Sequence, residues 1–197
     1  MNAVIFATIL EAEFAVGGFG FSAAAESPFK IFKNGAGDVL AISGIGPVRA
    51  ALCADYVLRE FSPKKIFNFG ACGILNQTLK AGEVYDVSEV LSLDFAAPRA
   101  FKIAESGARL LTSPNPVKKN SLRGELSKFA DIVDMECHGI LLALDSLGFD
   151  LKNFRAAKYA SDFSENCDIK SGISLGIKKL RPRLENALNL SQTDNLC

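Results

Sequence analysis

Short apolar runs alternate along the chain with longer segments of helical periodicity. Several of the short runs are apolar at consecutive positions, which is typical of strands covered on both faces. The alternation predicts an α/β fold, a three-layer α/β/α arrangement with a central mixed β-sheet. The predicted strands are residues 4–8, 29–33, 39–43, 65–69, 83–87, 109–112, 132–135 and 155–160.

The clearest helix signal begins at Pro47 and ends before Ser62-Pro63. Proline is favoured in the first turn of a helix and just beyond its end. Pro47 therefore indicates where the helix begins, and Pro63 indicates where it has ended. Further helices are predicted over residues 121–129, over 136–147 up to Gly148, and over 173–190. Pro182 is expected to kink or split the last of these.

Composition narrows the function classes. A chain of 197 residues, 49% of them hydrophobic, predicts one domain over residues 1–197. The 22 basic and 22 acidic residues cancel without forming a dense basic cluster, which argues against nucleic acid as a partner and favours a small ligand. The five cysteines form no CxxC pair, so we expect neither a disulfide framework nor a zinc site, and a cytoplasmic location.

The apolar stretch of residues 3–25 needs a separate explanation. Glu11 and Glu13 interrupt it. A signal peptide has a basic start and an unbroken apolar segment, and a spanning helix does not carry two unpartnered carboxylates. We therefore expect no membrane association.

Three glycine-bearing segments are predicted as turns after or before strands: residues 43–46, residues 70–73 and Gly82. Glycine allows a backbone to approach a ligand closely at the carboxyl ends of strands, although such turns are common whatever the function. The spacing matches neither a GxGxxG nor a GxxxxGK[ST] motif, so it argues against dinucleotide and P-loop sites.

Three carboxylates fall at predicted strand exits: Glu13, Glu136 and Asp162. If the exits share one edge of the sheet, the carboxylates converge on one cleft as an acid and a base. Helix capping explains Glu136 and Asp162 equally well. The only histidine, His138, is interpreted as a packed or hydrogen-bonded residue rather than a catalyst, and Phe14, Phe19 and Phe21 as core or loop cover.

Six ordered motifs resemble those of the methylthioadenosine/S-adenosylhomocysteine nucleosidases, within the nucleoside phosphorylase superfamily. The match covers most of the chain, is strongest over residues 43–90 and 132–164, and implies a phosphorylase/hydrolase-like fold. The motifs are Leu10-Glu11-Ala12-Glu13, residues 43–51, residues 68–73, residues 79–84, Val133-Asp134-Met135-Glu136 and Ala160-Ser161-Asp162.

The resemblance implies a role for each matched residue in cleaving a purine from its ribose with water. Glu13 would activate the water, Asp162 would protonate or hydrogen-bond N7 of the leaving purine, and Ser161 would orient Asp162. Glu136 would bind the ribose hydroxyls, with Met135 packed under the sugar. The remaining substrate-binding positions implied are Ile45, Ala71, Cys72, Gly73 and Val117. Neither a metal nor a cofactor is implied.

Asn68 and Ala71 distinguish hydrolysis from phosphorolysis. They stand where the hexameric phosphorylases of the superfamily hold phosphate with an arginine and a serine, so water is the expected nucleophile. Ala71 also replaces a serine usual in the nucleosidases. The segment after Val90 is shorter than theirs, and residues 115–117 stand in for a region that binds the nucleobase, so we expect a more open 5′ pocket.

Several alternatives stay open. The expected substrate is a 5′-modified purine nucleoside such as methylthioadenosine or S-adenosylhomocysteine. A bulkier nucleoside such as a futalosine, a phosphorolytic reaction and a non-catalytic nucleoside-binding relative are the alternatives. The resemblance also implies a homodimer.

Overall fold

The computed structural model describes residues 1–93, 99–161, 173–174 and 176–188. Ten strands lie in these residues: β1 (Ala3–Phe6), β2 (Ser22–Ala25), β3 (Lys30–Lys33), β4 (Val39–Ile42), β5 (Ile66–Ile74), β6 (Val84–Ser92), β7 (Phe101–Lys102), β8 (Ala108–Thr112), β9 (Ile132–Asp134) and β10 (Phe154–Ala160). The α-helices in the same residues are α1 (Ile9–Gly18), α2 (Pro47–Phe61), α3 (Asn120–Leu126), α4 (Cys137–Ser146) and α5 (Arg181–Ala187). Two 3₁₀ helices cover Leu151–Asn153 and Ile177–Leu180.

The strands form one mixed sheet in the order β10-β6-β8-β9-β5-β1-β4-β3-β2, with β7 beside β6. Strand β10 pairs with β5 in parallel as well as with β6 in antiparallel, so β5, β9, β8, β6 and β10 close into a ring. Strands β1 and β4 extend the sheet from β5 in parallel. Strand β9 runs antiparallel to the C-terminal end of β5, where Val133 lies opposite Gly73 and Ile132 opposite Ile74. The exit of β9 therefore lies beside the C-terminal residues of β5 rather than beyond the end of that strand.

The sheet is covered on both faces. Along β1, Ala3 and Ile5 belong to one buried cluster while Val4 and Phe6 belong to another, because successive side chains of a strand point to opposite faces. The first cluster includes residues of α2 and α4, and the second includes residues of α1 and α5. This arrangement confirms the predicted three-layer α/β/α fold with a central mixed sheet.

All eight predicted strands are present, with shifted ends. The sequence did not predict β2, β7 or α1. Strand β2 is mostly exposed and consists of serine and alanines, so it carries no apolar signal. The segment predicted as one helix over 173–190 contains a 3₁₀ helix followed by α5, and Pro182 lies in the first turn of α5, where its missing N–H costs no hydrogen bond.

The prediction of a turn at residues 70–73 is wrong. These residues continue β5 in register with β10, with Gly70 opposite Lys158 and Cys72 opposite Ala160. The turn at residues 43–46 is confirmed, because Gly44 and Gly46 have φ angles of 80° and 104°, which favour glycine.

Across the part of the chain that the structure describes, no helix is long and apolar enough to cross a membrane.

Candidate functional site

A cavity of about 280 Å³ lies between the C-terminal part of β5 and the segments that follow β1, β4, β8 and β9. Its lining is mostly apolar, with a few charged groups, which is the usual character of a small-molecule site. The residues that line it are Ala7, Thr8, Glu11, Ile45, Ala71, Cys72, Gly73, Asn115, Pro116, Val117, Lys118, Arg123, Val133, Asp134, Met135, Glu136 and Ile173.

Glu11 enters the cavity from the first turn of α1. Thr8 caps this helix: its side chain accepts from the Glu11 N–H at 3.3 Å, while Glu11 Oε2 accepts from the Thr8 N–H at 2.9 Å. This reciprocal capping box fixes the Glu11 side chain. Its other oxygen, Oε1, accepts from the Ala71 N–H at 2.8 Å, which joins α1 to β5.

The structure does not place Glu13 at the cavity, so the expectation that Glu13 lies there is wrong. Glu13 is exposed on α1, whereas Glu11 is 6% exposed and lines the cavity. In an α-helix, side chains two positions apart in sequence are separated by about 200° around the helix axis. Glu11 and Glu13 therefore cannot face the same side. The missed signal was the Thr8-x-x-Glu11 capping pattern, which starts a helix directly after β1.

Gly70 makes room for the Glu11 carboxylate. A Cβ atom at Gly70 would lie 2.9 Å from Glu11 Oε1, closer than side-chain atoms normally approach. The absence of a side chain at this position lets the carboxylate reach the Ala71 N–H. Gly70 therefore allows the Glu11 carboxylate to approach the backbone of β5 closely, and it does not form a turn.

Glu136 enters from the junction of β9 and α4. It is 6% exposed, and its Oε1 accepts from the Gly46 N–H at 2.9 Å. Burial raises the pKa of Glu136 to about 7, and the negative charge of Asp134 adds to this rise, while Lys158 and the Gly46 N–H oppose it. Glu136 can therefore change its protonation state near neutral pH.

Beneath Glu136 lies a buried polar group of three residues, Asn68, Asp134 and Lys158, which we call the floor. Lys158 Nζ donates to Asp134 Oδ2 at 2.8 Å and to Asn68 Oδ1 at 2.7 Å. Desolvation lowers the pKa of Lys158, but the charge of Asp134 and its neighbours outweighs it, so the net pKa is raised. The floor is thus a fixed ion pair.

The floor is tied to the surrounding backbone and side chains. Asp134 Oδ1 accepts from Thr112 Oγ1 at 2.7 Å and Asp134 Oδ2 accepts from the Cys137 N–H at 3.0 Å. Asn68 Nδ2 donates to the Ile5 carbonyl at 3.1 Å. Strands β1, β5, β8, β9 and β10 are therefore joined through one polar cluster, which fixes the cavity wall from below.

The remaining sequence-predicted residues have clear positions. Ile45, Ala71, Cys72, Gly73, Val117 and Met135 all line the cavity beside Glu136. Ser161 follows β10 and is 2% exposed, and its Oγ has no hydrogen-bond partner among the described residues. Asp162 lies outside the described residues, so its assignment as the acid stays a prediction.

His138 is buried, and its ring packs on Phe101 with centroids 5.2 Å apart. Its Nε2 lies 2.9 Å from the Arg99 carbonyl. The interpretation as a packed and hydrogen-bonded residue is confirmed. Among the residues whose structure is described, no three His, Cys, Asp or Glu side chains are grouped to hold a metal ion.

Comparison with known proteins gives partial sequence matches. A 5′-methylthioadenosine/S-adenosylhomocysteine nucleosidase of Staphylococcus haemolyticus is 37% identical over 59 residues, which are 30% of this chain and 26% of that protein. The homologous enzyme of Staphylococcus epidermidis is 34% identical over 86 residues, 41% of this chain and 37% of that protein. The matched segments thus span well under half the length of these relatives.

Solved structures match over nearly the whole chain. The 5′-methylthioadenosine/S-adenosylhomocysteine nucleosidase of Neisseria meningitidis, in complex with methylthio-immucillin-A, has a TM-score of 0.83 at 22% identity and covers 96% of this chain and 98% of that one. Futalosine hydrolase of Helicobacter pylori has a TM-score of 0.83 at 14% identity, with 96% and 97% covered. At these identities the likeness shows a shared fold.

A family model adds the decisive match. The model described as the phosphorylase superfamily matches residues 20–146, from β2 to the end of α4, which is well over half of the chain. This chain therefore belongs to the phosphorylase superfamily.

Proposed function

We propose that this protein hydrolyses the N-glycosidic bond of a purine nucleoside and releases the free purine. The observation that carries the proposal is the presence of two buried carboxylates, Glu11 and Glu136, on one cavity of suitable size. They come from different elements and are held by different backbone amides, from Ala71 and from Gly46. A reaction that needs several carboxyl groups in separate roles is served by such an arrangement.

Glu11 takes the role that the resemblance gave to Glu13. It accepts hydrogen bonds from the Thr8 N–H, the Thr8 hydroxyl and the Ala71 N–H, and so points into the cavity as an acceptor. A water molecule beside it would lose a proton to Glu11 as its oxygen bonds to C1′ of the ribose. Glu136 accepts hydrogen bonds from the ribose hydroxyls, and Met135 packs under the sugar.

Asp162 is the proposed acid at the purine. As the bond between C1′ and the purine nitrogen breaks, its electron pair moves to the purine, and a proton from Asp162 at N7 neutralises the leaving group. The preceding residue supports this assignment, because the Ser161 hydroxyl is buried without a partner among the described residues and is available to orient a neighbouring carboxyl group.

Water is the proposed nucleophile rather than phosphate. Ala71 offers no hydroxyl, and its N–H already donates to Glu11. Asn68 is bonded to Lys158 and the Ile5 carbonyl, and the Lys158 ammonium is neutralised by Asp134. A phosphate dianion placed here would meet the Glu11 carboxylate without a free donor among these groups, which disfavours its binding.

The proposed substrates are 5′-modified purine nucleosides such as methylthioadenosine or S-adenosylhomocysteine, consistent with a role in nucleoside catabolism and methionine salvage. Ile45, which is 58% exposed, leaves one side of the cavity open and apolar, and we assign the 5′ substituent to that side. A futalosine is the second candidate, because the open side suits a bulkier substituent and one structure of similar fold is a futalosine hydrolase.

We further propose a homodimer and a cytoplasmic location. Ile45, Val48 and Leu52 form an exposed apolar stripe, which we call the mouth, at the edge of the cavity and along α2; they are 58%, 71% and 59% exposed. Apolar patches of this kind mark contact surfaces. Cys53, Cys72 and Cys137 are free thiols, as is usual for proteins of a reducing compartment.

The test is release of free purine from a panel of nucleosides, with and without phosphate, by wild type and by matched carboxylate variants. Glu11→Gln keeps a capping box, because glutamine is accepted at that position, but removes the general base. We expect turnover to fall by about 10²–10⁴-fold, whereas Glu13→Gln behaves as wild type.

Other outcomes separate the alternatives. Asp162→Asn is expected to lower turnover by at least about a hundredfold with little change in Tm. Release that depends on phosphate would identify a phosphorylase. Nucleoside binding without any release of purine would identify a binding protein, and near-normal release by Glu11→Gln would refute the role of Glu11.

A further inference from the structure

Helices α2 and α4 approach each other closely at one point, where Gly139 of α4 faces the carbonyl group of Pro47 at the start of α2. A Cβ atom at Gly139 would lie 2.1 Å from the Pro47 oxygen and 2.8 Å from its carbonyl carbon. Both of these atoms belong to the backbone, so they cannot turn aside as the end of a flexible side chain can. The absence of a side chain at Gly139 therefore allows the two helices to lie this close.

This contact lies directly beside Glu136. Gly139 follows Glu136 by three positions, a spacing that places two residues on the same side of a helix. Gly46, which precedes Pro47, donates its N–H to Glu136 Oε1 at 2.9 Å, and the Met135 N–H donates to Oε2 at 3.3 Å. The close approach at Gly139 thus brings the N-terminus of α2 to a carboxylate that lines the cavity.

The N-terminus of α2 is suited to hold a carboxylate. The first N–H groups of a helix have no partners within it, and the helix dipole adds a partial positive charge at this end. Gly46 is the N-cap residue of α2, and its φ angle of 104° favours glycine. Its hydrogen bond stabilises the ionised form of Glu136 and so opposes the rise in the pKa of that residue.

Charged side chains also lie on the elements around Glu136. They are Glu11 of α1, Arg49 of α2, Asp134 of β9 and Lys158 of β10. The two carboxylates raise the pKa of Glu136 and the lysine lowers it. Arg49 donates to the Ser43 carbonyl at 3.4 Å. Helix α2 therefore acts on Glu136 through the Gly46 N–H.

We propose that Gly139 is a positioning residue for Glu136, because its lack of a side chain lets the first turn of α2 bring the Gly46 N–H to the Glu136 carboxylate. An added methyl group has to move the Pro47 oxygen by about 0.9 Å, from 2.1 Å to at least 3.0 Å. A hydrogen bond of 2.9 Å is lost when its atoms separate by that much. This inference rests on the proposed function for the role of Glu136 at the ribose hydroxyls.

The first experiment compares kcat/KM for a purine nucleoside and for its 2′-deoxy counterpart, in wild type and in Gly139→Ala. The nucleoside presents both ribose hydroxyls to Glu136, whereas the 2′-deoxy counterpart lacks one of them. A displaced Glu136 should lower kcat/KM for the nucleoside by roughly tenfold, the loss of one hydrogen bond to a charged group, and for the 2′-deoxy counterpart by at most about threefold. Equal losses on the two substrates would overturn the positioning role, because a change in packing alone lowers both alike.

Gly17→Ala supplies the control, because it makes the same substitution in a helix where no atom lies within 4 Å of the Cβ position. It should match wild type on both substrates.

The pKa of Glu136 gives a second readout, which does not need activity. It is followed by carbon-13 NMR of the labelled carboxyl group, whose signal is identified by its absence in Glu136→Gln. In Gly139→Ala the pKa should rise above the wild-type value of about 7, because the hydrogen bond from Gly46 that lowers it is lost. Gly17→Ala should show the wild-type pKa. An unchanged pKa in Gly139→Ala would overturn the proposal.

Wild type alone provides a third test, which holds even if Gly139→Ala fails to fold. The resonance of the Gly46 amide should change with pH together with the Glu136 carboxyl group, because the two are hydrogen-bonded. A Gly46 resonance that does not follow this titration would overturn the proposal. Absence of purine release from every nucleoside would instead refute the proposed function, and the two NMR measurements would still decide the role of Gly139.

Discussion

The floor and the mouth of the cavity differ in almost every physical property. In the floor, Asn68, Asp134 and Lys158 are at most 5% exposed and hydrogen-bonded to one another or to neighbouring strands. In the mouth, Ile45, Val48 and Leu52 are more than half exposed and apolar. A buried polar cluster fixes the positions of its side chains, and breaking it lowers the free energy of unfolding strongly. An exposed apolar stripe contributes little to folding and is available for contact with another molecule. Changes in the floor should therefore alter the whole molecule, and changes in the mouth should alter only what binds there.

The largest effect is expected from breaking the floor. Lys158→Met removes the cation that Asp134 faces and leaves a buried carboxylate without its partner charge. We expect the free energy of unfolding, measured with urea, to fall by about 3–5 kcal/mol. The exposed control Lys119→Met should stay within about 0.5 kcal/mol of wild type.

A double variant sharpens this prediction. Asp134→Asn combined with Lys158→Met removes both charges, so part of the lost stability should return. A loss below about 1 kcal/mol in Lys158→Met would mean that the floor does not fix the site.

The second effect concerns Gly70, which lies in β5 beside the floor. In Gly70→Ala the added methyl group displaces the Glu11 carboxylate, whose Oε1 lies 2.9 Å from the Cβ position. We expect purine release to fall by up to about a hundredfold, because a small displacement of a reacting group has effects of that size. Gly17→Ala on α1 is the control, since no atom lies within 4 Å of its Cβ position. Equal activities of the two variants would contradict the positioning of Glu11 by Gly70.

The third effect is a pH dependence of stability caused by Glu136. Its pKa is raised from 4.5 to about 7 in the folded state, so the folded protein holds a proton that the unfolded chain releases at lower pH. The resulting contribution to stability is present below about pH 4.5 and is lost as the pH rises through 7.

Glu136→Gln should remove this dependence. As the pH rises from 5 to 8, wild type should lose about 2–3 kcal/mol in the free energy of unfolding through this group, and Glu136→Gln should not show this loss. Glu13→Gln, at an exposed position on α1, should show the same pH dependence as wild type. A parallel pH profile for wild type and Glu136→Gln would show that Glu136 is not desolvated.

The two regions also differ in how far the sequence predicts them. The apolar runs that became β1, β4 and β5 were predicted because burial on both faces leaves a clear hydrophobic signal. Helix α1 was not predicted because its alanines, valine and glycines carry a weak amphipathic signal. Without this helix, the sequence analysis chose Glu13 instead of Glu11 as the carboxylate at the cavity. The sequence placed Met135-Glu136 at a strand exit, and in the structure the pair directly follows the buried strand β9.

Lys158 was not singled out, although it lies within the otherwise apolar run of residues 156–160. A lone lysine in such a run indicates a buried partner, but the sequence does not say which carboxylate supplies it. The pairing with Asp134 arises only when β10, β5 and β9 meet in the ring. Long-range pairing of this kind is fixed by tertiary structure and has no local signature.

The smallest effect on stability is expected at the mouth. Val48 is 71% exposed on α2, so Val48→Asp should change the free energy of unfolding of the subunit by no more than about 0.5 kcal/mol. If two copies meet through the mouth, the same change places two carboxylates in an apolar interface, and light scattering should report a monomer where wild type gives a dimer.

Lys64→Asp, at an exposed site just beyond α2, changes the charge in the same direction but lies away from the stripe, so it should leave the dimer intact. A wild-type monomer, or a Val48→Asp dimer of wild-type affinity, would show that the exposed stripe is not the contact between copies.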